Sequence, residues 1–257
     1  MRFPMPWRAL CVALGLLFAA VTQAAQPVRL SLIIDDLGHD PERDRRVLAL
    51  PGPVALAILP DAPHATSLAR DAHRAGRTVM LHMPMAPADG AFAWLPNQPP
   101  FVWLERLEAA LREVPHASGL NNHMGSRMTA DDAAMQVLMP ELQRRHLFFV
   151  DSRTTPKTVA AANAQRIALA SLSRDLFLDH DSRPEAVAAA FQRGLDIARR
   201  EGSVVMIGHP HASTLAVLER ELPKLAAQGI DWIDVPPMIA LRGNQAMPAH
   251  GRNGQYQ

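Results

Sequence analysis

The chain has 257 residues, with 26 basic and 25 acidic side chains and a formal net charge of +1. This balance, without a basic patch, argues against a nucleic-acid partner, and the length allows one large α/β domain or two small ones. Nearly half of the residues are apolar and few are aromatic, so we expect an aliphatic core.

The first 25 residues differ from the rest of the chain and are typical of an export signal. Arg2 and Arg8 flank the beginning of an apolar run at 9–21, which ends in small residues. A run of about 13 residues is short for a membrane-spanning helix, which needs roughly 20. We expect a signal peptide over 1–25, cleaved near Ala24 or Ala25, with a retained anchor as the alternative. The mature protein is then periplasmic or secreted and has no membrane span.

From residue 28 onward, apolar runs typical of buried strands alternate with amphipathic helical segments. Strands are predicted at 28–34, 54–59, 77–81, 118–123, 147–150, 166–171, 204–207 and 230–235. Helices are predicted at 39–50, 63–75, 104–114, 129–145, 158–164, 186–200 and 213–227. Thr129 is the predicted N-cap of the fourth helix, which Pro140 is expected to kink or split.

Two segments do not fit this alternation. Residues 84–100 contain five prolines and are predicted to form a long loop over the strand ends. Residues 243–257 lack periodicity and are predicted to be a disordered tail. Seven or eight strands alternating with helices, without a linker, predict one domain over 26–242. A parallel α/β barrel, irregular or incomplete, fits best, and an open doubly wound sheet is the alternative.

Polar clusters follow five of the predicted strands. They are Asp35-Asp36, His82-Met83-Pro84-Met85, Asn121-Asn122-His123-Met124-Gly125-Ser126, Asp151-Ser152-Arg153 and His209-Pro210-His211. Because the carboxyl ends of parallel strands meet on one face, we expect these clusters to line one pocket. The single cysteine, Cys11, lies in the signal segment, so the mature chain has no thiolate ligand. Carboxylates and imidazoles predict a pocket that holds a divalent metal and activates water, as in metallohydrolases.

Within these clusters the residue types indicate several roles. One of Asp35 and Asp36 can bind a metal while the other acts as a base, and one of His209 and His211 can act as a general acid. Asp151 can orient or activate a catalytic group. The alternatives are local: helix caps, satisfied turns, exposed histidines, or buried histidines bonded to the backbone.

Other polar side chains of the clusters are predicted to line the pocket. Asn121, Asn122 and Ser126 belong to the densest polar run, and a buried amide without partners costs about 1–3 kcal/mol. These side chains therefore either form a satisfied turn network or face a site. Arg153 can pair with Asp151 or bind substrate oxygens.

Five motifs, in this order, resemble those of the divergent polysaccharide deacetylases, exported bacterial relatives of the metal-dependent carbohydrate esterases. They are Ile-Ile-Asp-Asp-Leu-Gly, His-Met-Pro-Met, Gly-Leu-Asn-Asn-His-Met-Gly-Ser, Val-Asp-Ser-Arg-Thr-Thr and Ile-Gly-His-Pro-His. The resemblance covers about residues 28–240. It implies a single-domain, distorted seven-stranded (β/α) barrel and a divalent, zinc-like ion held by one Asp and two His. It also implies that Asp35 is the base and that Asp36 and His82 are ligands.

One position departs from the family pattern. The family's metal motif has a second histidine four residues after the first, where this chain has Ala86. His123 is predicted to replace that ligand. By the same resemblance, His209 or His211 is the general acid, and Asp151 is the carboxylate that tunes it.

The activity that the resemblance implies is metal-dependent deacetylation of an N- or O-acetylated cell-envelope polysaccharide, such as a peptidoglycan-like glycan. In that reaction Asn122 or Ser126 would stabilise the oxyanion, and Trp94 in the 84–100 loop would stack on a sugar ring. One alternative, favoured by Ala86, is a glycan-binding or envelope scaffold protein that keeps the barrel without turnover. Another is a glycosidase that uses Asp35 and Asp151.

Overall fold

The computed structural model describes residues 27–243, in which strands and helices alternate along the chain. The strands are β1 (Val28–Leu37), β2 (Val54–Ile58), β3 (Val79–Met85), β4 (Gly119–Met124), β5 (Phe148–Asp151), β6 (Ser171–Ser173), β7 (Leu176–Phe177), β8 (Ser203–Gly208) and β9 (Ile230–Trp232). The helices are α1 (Pro41–Ala49), α2 (Ala65–Arg74), α3 (Pro100–Glu113), α4 (Asp132–Arg144), α5 (Ala160–Arg166), α6 (Pro184–Glu201), α7 (Ala212–Glu221) and α8 (Val235–Arg242). The predicted signal segment and residues 244–257 of the predicted tail lie outside the described residues.

The strands form one parallel sheet in the order β6-β5-β4-β3-β2-β1-β8-β7, with β9 also paired to β1. The two ends of this order meet, because only Arg174 and Asp175 separate β6 from β7 in the chain. The backbone N–H of Arg174 donates to the carbonyl of Asp151 on β5 (3.0 Å). The backbone N–H of Asp175 donates to the carbonyl of Val205 on β8 (2.9 Å). β6 and β7 thus form one interrupted strand that joins β5 to β8.

With β6 and β7 taken together, seven strands of the described residues close a distorted (β/α) barrel. This confirms the predicted fold class. The alternative of an open doubly wound sheet does not fit, because the two end strands of the order, β6 and β7, follow each other in the chain and join β5 to β8. β9 lies beside the beginning of β1, where Val28 pairs with Ile230, and β2 pairs with β1 further along.

The core has two parts, one on each side of the strands. Inward-facing side chains of the strands, among them Ile33, Ala57 and Val205, form one cluster with Met238 and Ile239 of α8. The larger cluster lies between the outer faces of the strands and the surrounding helices. Because parallel strands of a barrel are covered on both faces, β2, β3 and β8 are buried along their whole length. This packing places the strand ends, and the clusters that follow them, on a rigid frame.

Several predicted elements differ in detail. The N-cap of α4 is Asp131, whose side chain accepts from the Ala134 N–H (3.2 Å). Thr129 does not cap the helix, because its hydroxyl donates to the carbonyl of Gly125 (2.9 Å). Pro140 lies inside α4, which remains one helix. The strand predicted at 166–171 begins only at Ser171, and α8 was not predicted. Among the described helices, none has the length and apolar character needed to cross a bilayer.

Candidate metal centre

Asp36, His82 and His123 meet at the carboxyl ends of β1, β3 and β4. Oδ1 of Asp36 lies 2.8 Å from Nδ1 of His123 and 3.1 Å from Nε2 of His82. The two imidazole nitrogens are 3.2 Å apart. These are the three side chains predicted as metal ligands, and their ligand atoms are close enough to hold one ion.

A bulge in β1 brings both neighbouring carboxylates to this end of the barrel. Between Ile34 and Leu37, β1 advances by three residues while its partner β2 advances by two, from Leu56 to Ile58. Asp36 lies in this irregularity with φ of 57°, an uncommon value for a residue with a side chain. In a regular strand Asp35 and Asp36 would point to opposite faces, but the extra residue turns both toward the site.

Asn121 sets the orientation of the His82 ring. The two residues are partners in the pairing of β3 with β4, and Nδ1 of His82 lies 2.8 Å from Oδ1 of Asn121. The amide nitrogen of Asn121 donates to Oδ1 of Asp35 (2.8 Å), so its oxygen accepts from His82. In the neutral ring the hydrogen is therefore on Nδ1, and Nε2 presents a lone pair to Asp36.

The surroundings of Oδ1 of Asp36 indicate whether the three residues fit a metal ion. Oδ1 of Asp36 is buried and has no well-formed hydrogen bond, although two ring nitrogens approach it. Acceptor atoms in such contact repel unless a proton or a cation lies between them. One carboxylate and two imidazoles form a donor set that zinc binds, with a position open for water or substrate. The described residues therefore fit a divalent cation.

Asp35 lies behind this group and is almost completely buried. Its Oδ2 is 3.7 Å from Nε2 of His82, and its Oδ1 accepts the hydrogen bond from Asn121. Burial raises the pKa of the Asp35 carboxyl above its usual range, against the opposing effect of the nearby His82 and His209. A carboxylate with a raised pKa is better suited to accept a proton near neutral pH.

His209 approaches the site from the end of β8. Its Nε2 lies 4.0 Å from Oδ2 of Asp36, and its Nδ1 is hydrogen-bonded to Oδ1 of Asp179 (2.9 Å). The other oxygen of Asp179 accepts hydrogen bonds from the backbone N–H of His209 (2.6 Å) and from the hydroxyl of Thr214 (2.7 Å). Burial lowers the pKa of His209, but the bond to Asp179 and the charges of Asp179, Asp35 and Asp36 raise it to about 9.

The second histidine of this motif points elsewhere. His211 is exposed, and its ring centre lies 5.9 Å from that of His209. Asp179, His209 and His211 also form a group close enough to hold an ion. However, both oxygens of Asp179 already accept hydrogen bonds, which makes this a weaker ligand set than the first. Of the two predicted candidates for the general acid, His209 is the one beside the metal centre.

Residues 32–239 match the family model described as divergent polysaccharide deacetylase. The chain belongs to this family. It is also 39% identical over 212 residues to the uncharacterized protein YibQ of Escherichia coli (strain K12). That alignment covers 80% of this chain and 66% of the E. coli protein, so the chain spans slightly less than two thirds of the length of this relative.

Solved structures resemble this family member in fold. The crystal structure of the uncharacterized protein ATU2773 from Agrobacterium tumefaciens C58 superimposes with a TM-score of 0.79 at 21% identity, over 84% of this chain and 90% of that one. The catalytic domain of the peptidoglycan N-acetylglucosamine deacetylase from Eubacterium rectale ATCC 33656 gives a TM-score of 0.55 at 14% identity, over 88% and 94%. At these identities the likeness establishes a shared barrel architecture.

Asp151, predicted to tune the general acid, does not contact His209. It is completely buried, and its two oxygens accept from the Arg153 N–H (2.8 Å) and the Thr158 hydroxyl (2.8 Å). These bonds hold the turn after β5, so the predicted catalytic role of Asp151 is wrong. Asp179 is the carboxylate that tunes His209 in this deacetylase-family chain. The Arg153 side chain is half-buried, and its role in substrate binding stays a prediction.

The sequence motifs do not include Asp179. The available signal was the apolar triplet 176–178 immediately before it. Phe177 pairs with Ile207, which places Asp179 beside His209 at the ends of β7 and β8.

Trp94, predicted to stack on a sugar, is not accessible. It is completely buried, and its ring stacks on Trp103 of α3 at 5.4 Å between centres. The apolar indole is better packed beneath the 84–100 loop than exposed on it, so this prediction is wrong.

The predicted amide donors are structural. Oδ1 of Asn122 accepts from the Ser152 N–H (3.0 Å), and its amide nitrogen donates to the carbonyl of Met124 (2.7 Å). Asn122 is thus buried and occupied by backbone groups, which contradicts its predicted contact with substrate. Asn121 acts through His82 and Asp35 rather than by direct contact. Ser126 is half-buried in the turn after β4, and its role stays a prediction.

Proposed function

We propose that this protein is a zinc-dependent deacetylase of an acetylated cell-envelope polysaccharide. The observation that carries the proposal is the meeting of the ligand atoms of Asp36, His82 and His123 beside the buried Asp35. Membership of the divergent polysaccharide deacetylase family supports the substrate class. The export signal expected over residues 1–25 would place the protein in the periplasm or outside the cell.

A zinc ion held by Asp36, His82 and His123 would supply Lewis acidity to an acetyl carbonyl and would acidify water. Asp35, held in place by its hydrogen bond from Asn121, accepts the proton of the attacking water. His209, kept protonated by Asp179, donates its proton to the amine or alcohol that leaves. The products are acetate and the deacetylated sugar. Asp35 has then gained one proton and His209 has lost one.

The structure argues against the glycosidase alternative. That reaction needs two carboxyl groups that face the same bond, and Asp35 and Asp151 were the predicted pair. Both oxygens of Asp151 are bonded to Arg153 and Thr158 inside the protein, so this carboxylate does not face a substrate.

The test is acetate release from acetylated chitooligosaccharides by the purified protein supplied with zinc. Asp35→Asn keeps the size of the side chain and leaves the three predicted ligands in place. We expect it to bind zinc normally and to lose at least about 100-fold in kcat/KM. Asp196→Asn, which alters an exposed carboxylate on α6, is the matched control and should react like the parent protein. No acetate release by the zinc-loaded parent protein would favour the scaffold alternative.

A further inference from the structure

A cleft of about 210 Å³ lies beside the candidate metal centre and shares His123 with it. The segments that follow β1, β2 and β3, together with the ends of β3 and β4, contribute to its walls. The volume is below the roughly 300–1,000 Å³ of pockets that take drug-sized ligands. A space of this size, next to the predicted reaction centre, fits one sugar unit of a longer chain.

Met124 gives the cleft an exposed apolar surface. Its relative exposure is 48%, and its backbone has φ of 51°, a strained value for a residue with a side chain. The Met124 carbonyl accepts hydrogen bonds from Asn122 (2.7 Å) and Thr154 (2.8 Å), which hold this conformation. Pro84 and Ala88, both buried, complete the apolar part of the lining, and the thioether is the apolar group that a sugar ring can contact.

Two carboxylates supply the polar part of the same cleft. Asp61 follows β2 and Asp89 lies in the loop after β3, and both side chains are exposed. The remaining titratable groups of the lining are the imidazoles of His39 and His123, and no Lys or Arg is among the described residues that form it. Carboxylates accept hydrogen bonds from hydroxyl and ammonium groups and repel anions.

We propose that this cleft binds the sugar unit next to the acetylated one and selects a neutral or amine-bearing sugar over an acidic one. The inference rests on the proposed function, because it takes the acetylated unit to lie at the metal centre. Asp61 and Asp89 are the specificity-determining residues. A sugar that bears a carboxylate would bring like charges together in a cleft without a cationic side chain to offset them.

Calorimetry on the zinc-supplied full chain tests this preference without depending on turnover. The probes are three tetrasaccharides: fully acetylated chitotetraose, the same chain with one free amine, and a matched chain in which muramic acid replaces one sugar. We expect the acid-bearing probe to bind at least about tenfold more weakly than the other two. In the Asp61→Asn/Asp89→Asn variant this difference should fall to about twofold or less.

The Asp196→Asn variant is the control for the loss of an exposed carboxylate and should keep the full preference. Unchanged zinc binding by the double variant would show that the centre is intact, and each single variant should give part of the effect. The inference is overturned if the parent protein binds the acidic probe as tightly as the neutral one. It is also overturned if the double variant keeps the preference.

The two proposals fail in different ways. A binding preference without acetate release from any probe would remove the proposed catalysis but leave the cleft's selectivity standing. Acetate release at equal efficiency from acidic and neutral probes would support the catalysis and remove the selectivity.

Discussion

His209 and Asp179 form the pair on which proton donation in the proposed reaction depends. Burial raises the pKa of Asp179, but its hydrogen bonds with His209 and Thr214 and the charge of His209 lower it below its usual range. The carboxylate is therefore ionised and holds His209 in its protonated form, with a pKa raised to about 9. An imidazolium that keeps its proton at neutral pH can deliver it to a leaving amine.

Asp179→Asn should lower the pKa of His209 toward the ordinary value of about 6.5, because the amide removes the negative charge. A general acid works only below its pKa. The alkaline limit of kcat/KM should then move to lower pH, with a loss of about 10–100-fold on the alkaline side of the profile, because each unit of pKa changes the protonated fraction of the acid about tenfold. A pH profile of acetate release measures this shift. Asp151→Asn is the control, since Asp151 does not contact His209, and a shift in Asp151→Asn alone would refute the assignment.

Much of the candidate site could be predicted at the residue scale, because polar side chains follow predicted strands. Asp36 and His82 come after apolar runs of β1 and β3, and His123 lies in the polar run that ends the short strand β4. Asp179 could not be recognised in the same way, since β7 has only two residues and gives almost no periodic signal. The bulge that turns Asp36 inward cannot be predicted from the hydrophobic pattern either, because a bulge does not change which residues of the strand are apolar.

At the scale of elements, ion pairs join α3 to α4 on the outside of the barrel. Glu141 accepts from Arg144 (2.6 and 2.9 Å) and from Arg145 (2.5 Å), and Arg145 also pairs with Glu108 of α3 (2.5 Å). These bonds, above all the one from Arg144, lower the pKa of Glu141 to about 2. The network lies near the surface, so solvent weakens it.

Glu141→Gln should reduce stability in a way that depends on pH. A carboxyl group whose pKa is lower in the folded state contributes stability above its unfolded value, near pH 4.3, and this contribution disappears as the pH falls toward 2. We expect a loss of about 1 kcal/mol or less at pH 6, shrinking steadily between pH 4.5 and 3. Urea unfolding at a series of pH values measures it. Glu105→Gln, which alters an exposed carboxylate on α3, is the control, and a difference that stays constant with pH would contradict the account.

The elements that the sequence did not predict are short or begin with proline. α8 begins at Val235-Pro236-Pro237, and in a sequence two consecutive prolines indicate a turn or loop rather than a helix. Prolines are tolerated in the first turn of a helix, and the Asp234 side chain accepts from the Val235 N–H (2.7 Å). The helix is then stabilised by packing into the barrel, a contact with strands far away in the chain that no local pattern carries.

At the scale of the whole molecule, the barrel is closed where β6 meets β7. Oδ2 of Asp175, at this junction, accepts from the Val205 N–H (2.8 Å) and pairs with Arg242 of α8 (2.7 Å). The Asp175 side chain is buried, and that of Arg242 is largely covered. This pair therefore ties α8 to the strands that complete the ring.

Arg242→Met should be strongly destabilising, because it removes the guanidinium that pairs with the buried Asp175 carboxylate. Breaking one side of a buried ion pair costs about 3 kcal/mol or more. Denaturant unfolding should show this loss, whereas Arg199→Met, which breaks an exposed pair with Asp196, should cost less than about 1 kcal/mol. Equal effects of the two substitutions would show that the junction does not depend on the pair.

We infer that, in the candidate metal centre, Asp36, His82 and His123 together bind one divalent cation. The most direct measurement is zinc titration by calorimetry of the parent protein, Asp36→Ala, His123→Ala and the control His211→Ala, whose side chain is exposed and outside this group. We expect the parent protein and His211→Ala to bind one zinc ion tightly, and the other two variants to bind none. Zinc binding at full stoichiometry by both Asp36→Ala and His123→Ala would contradict this assignment.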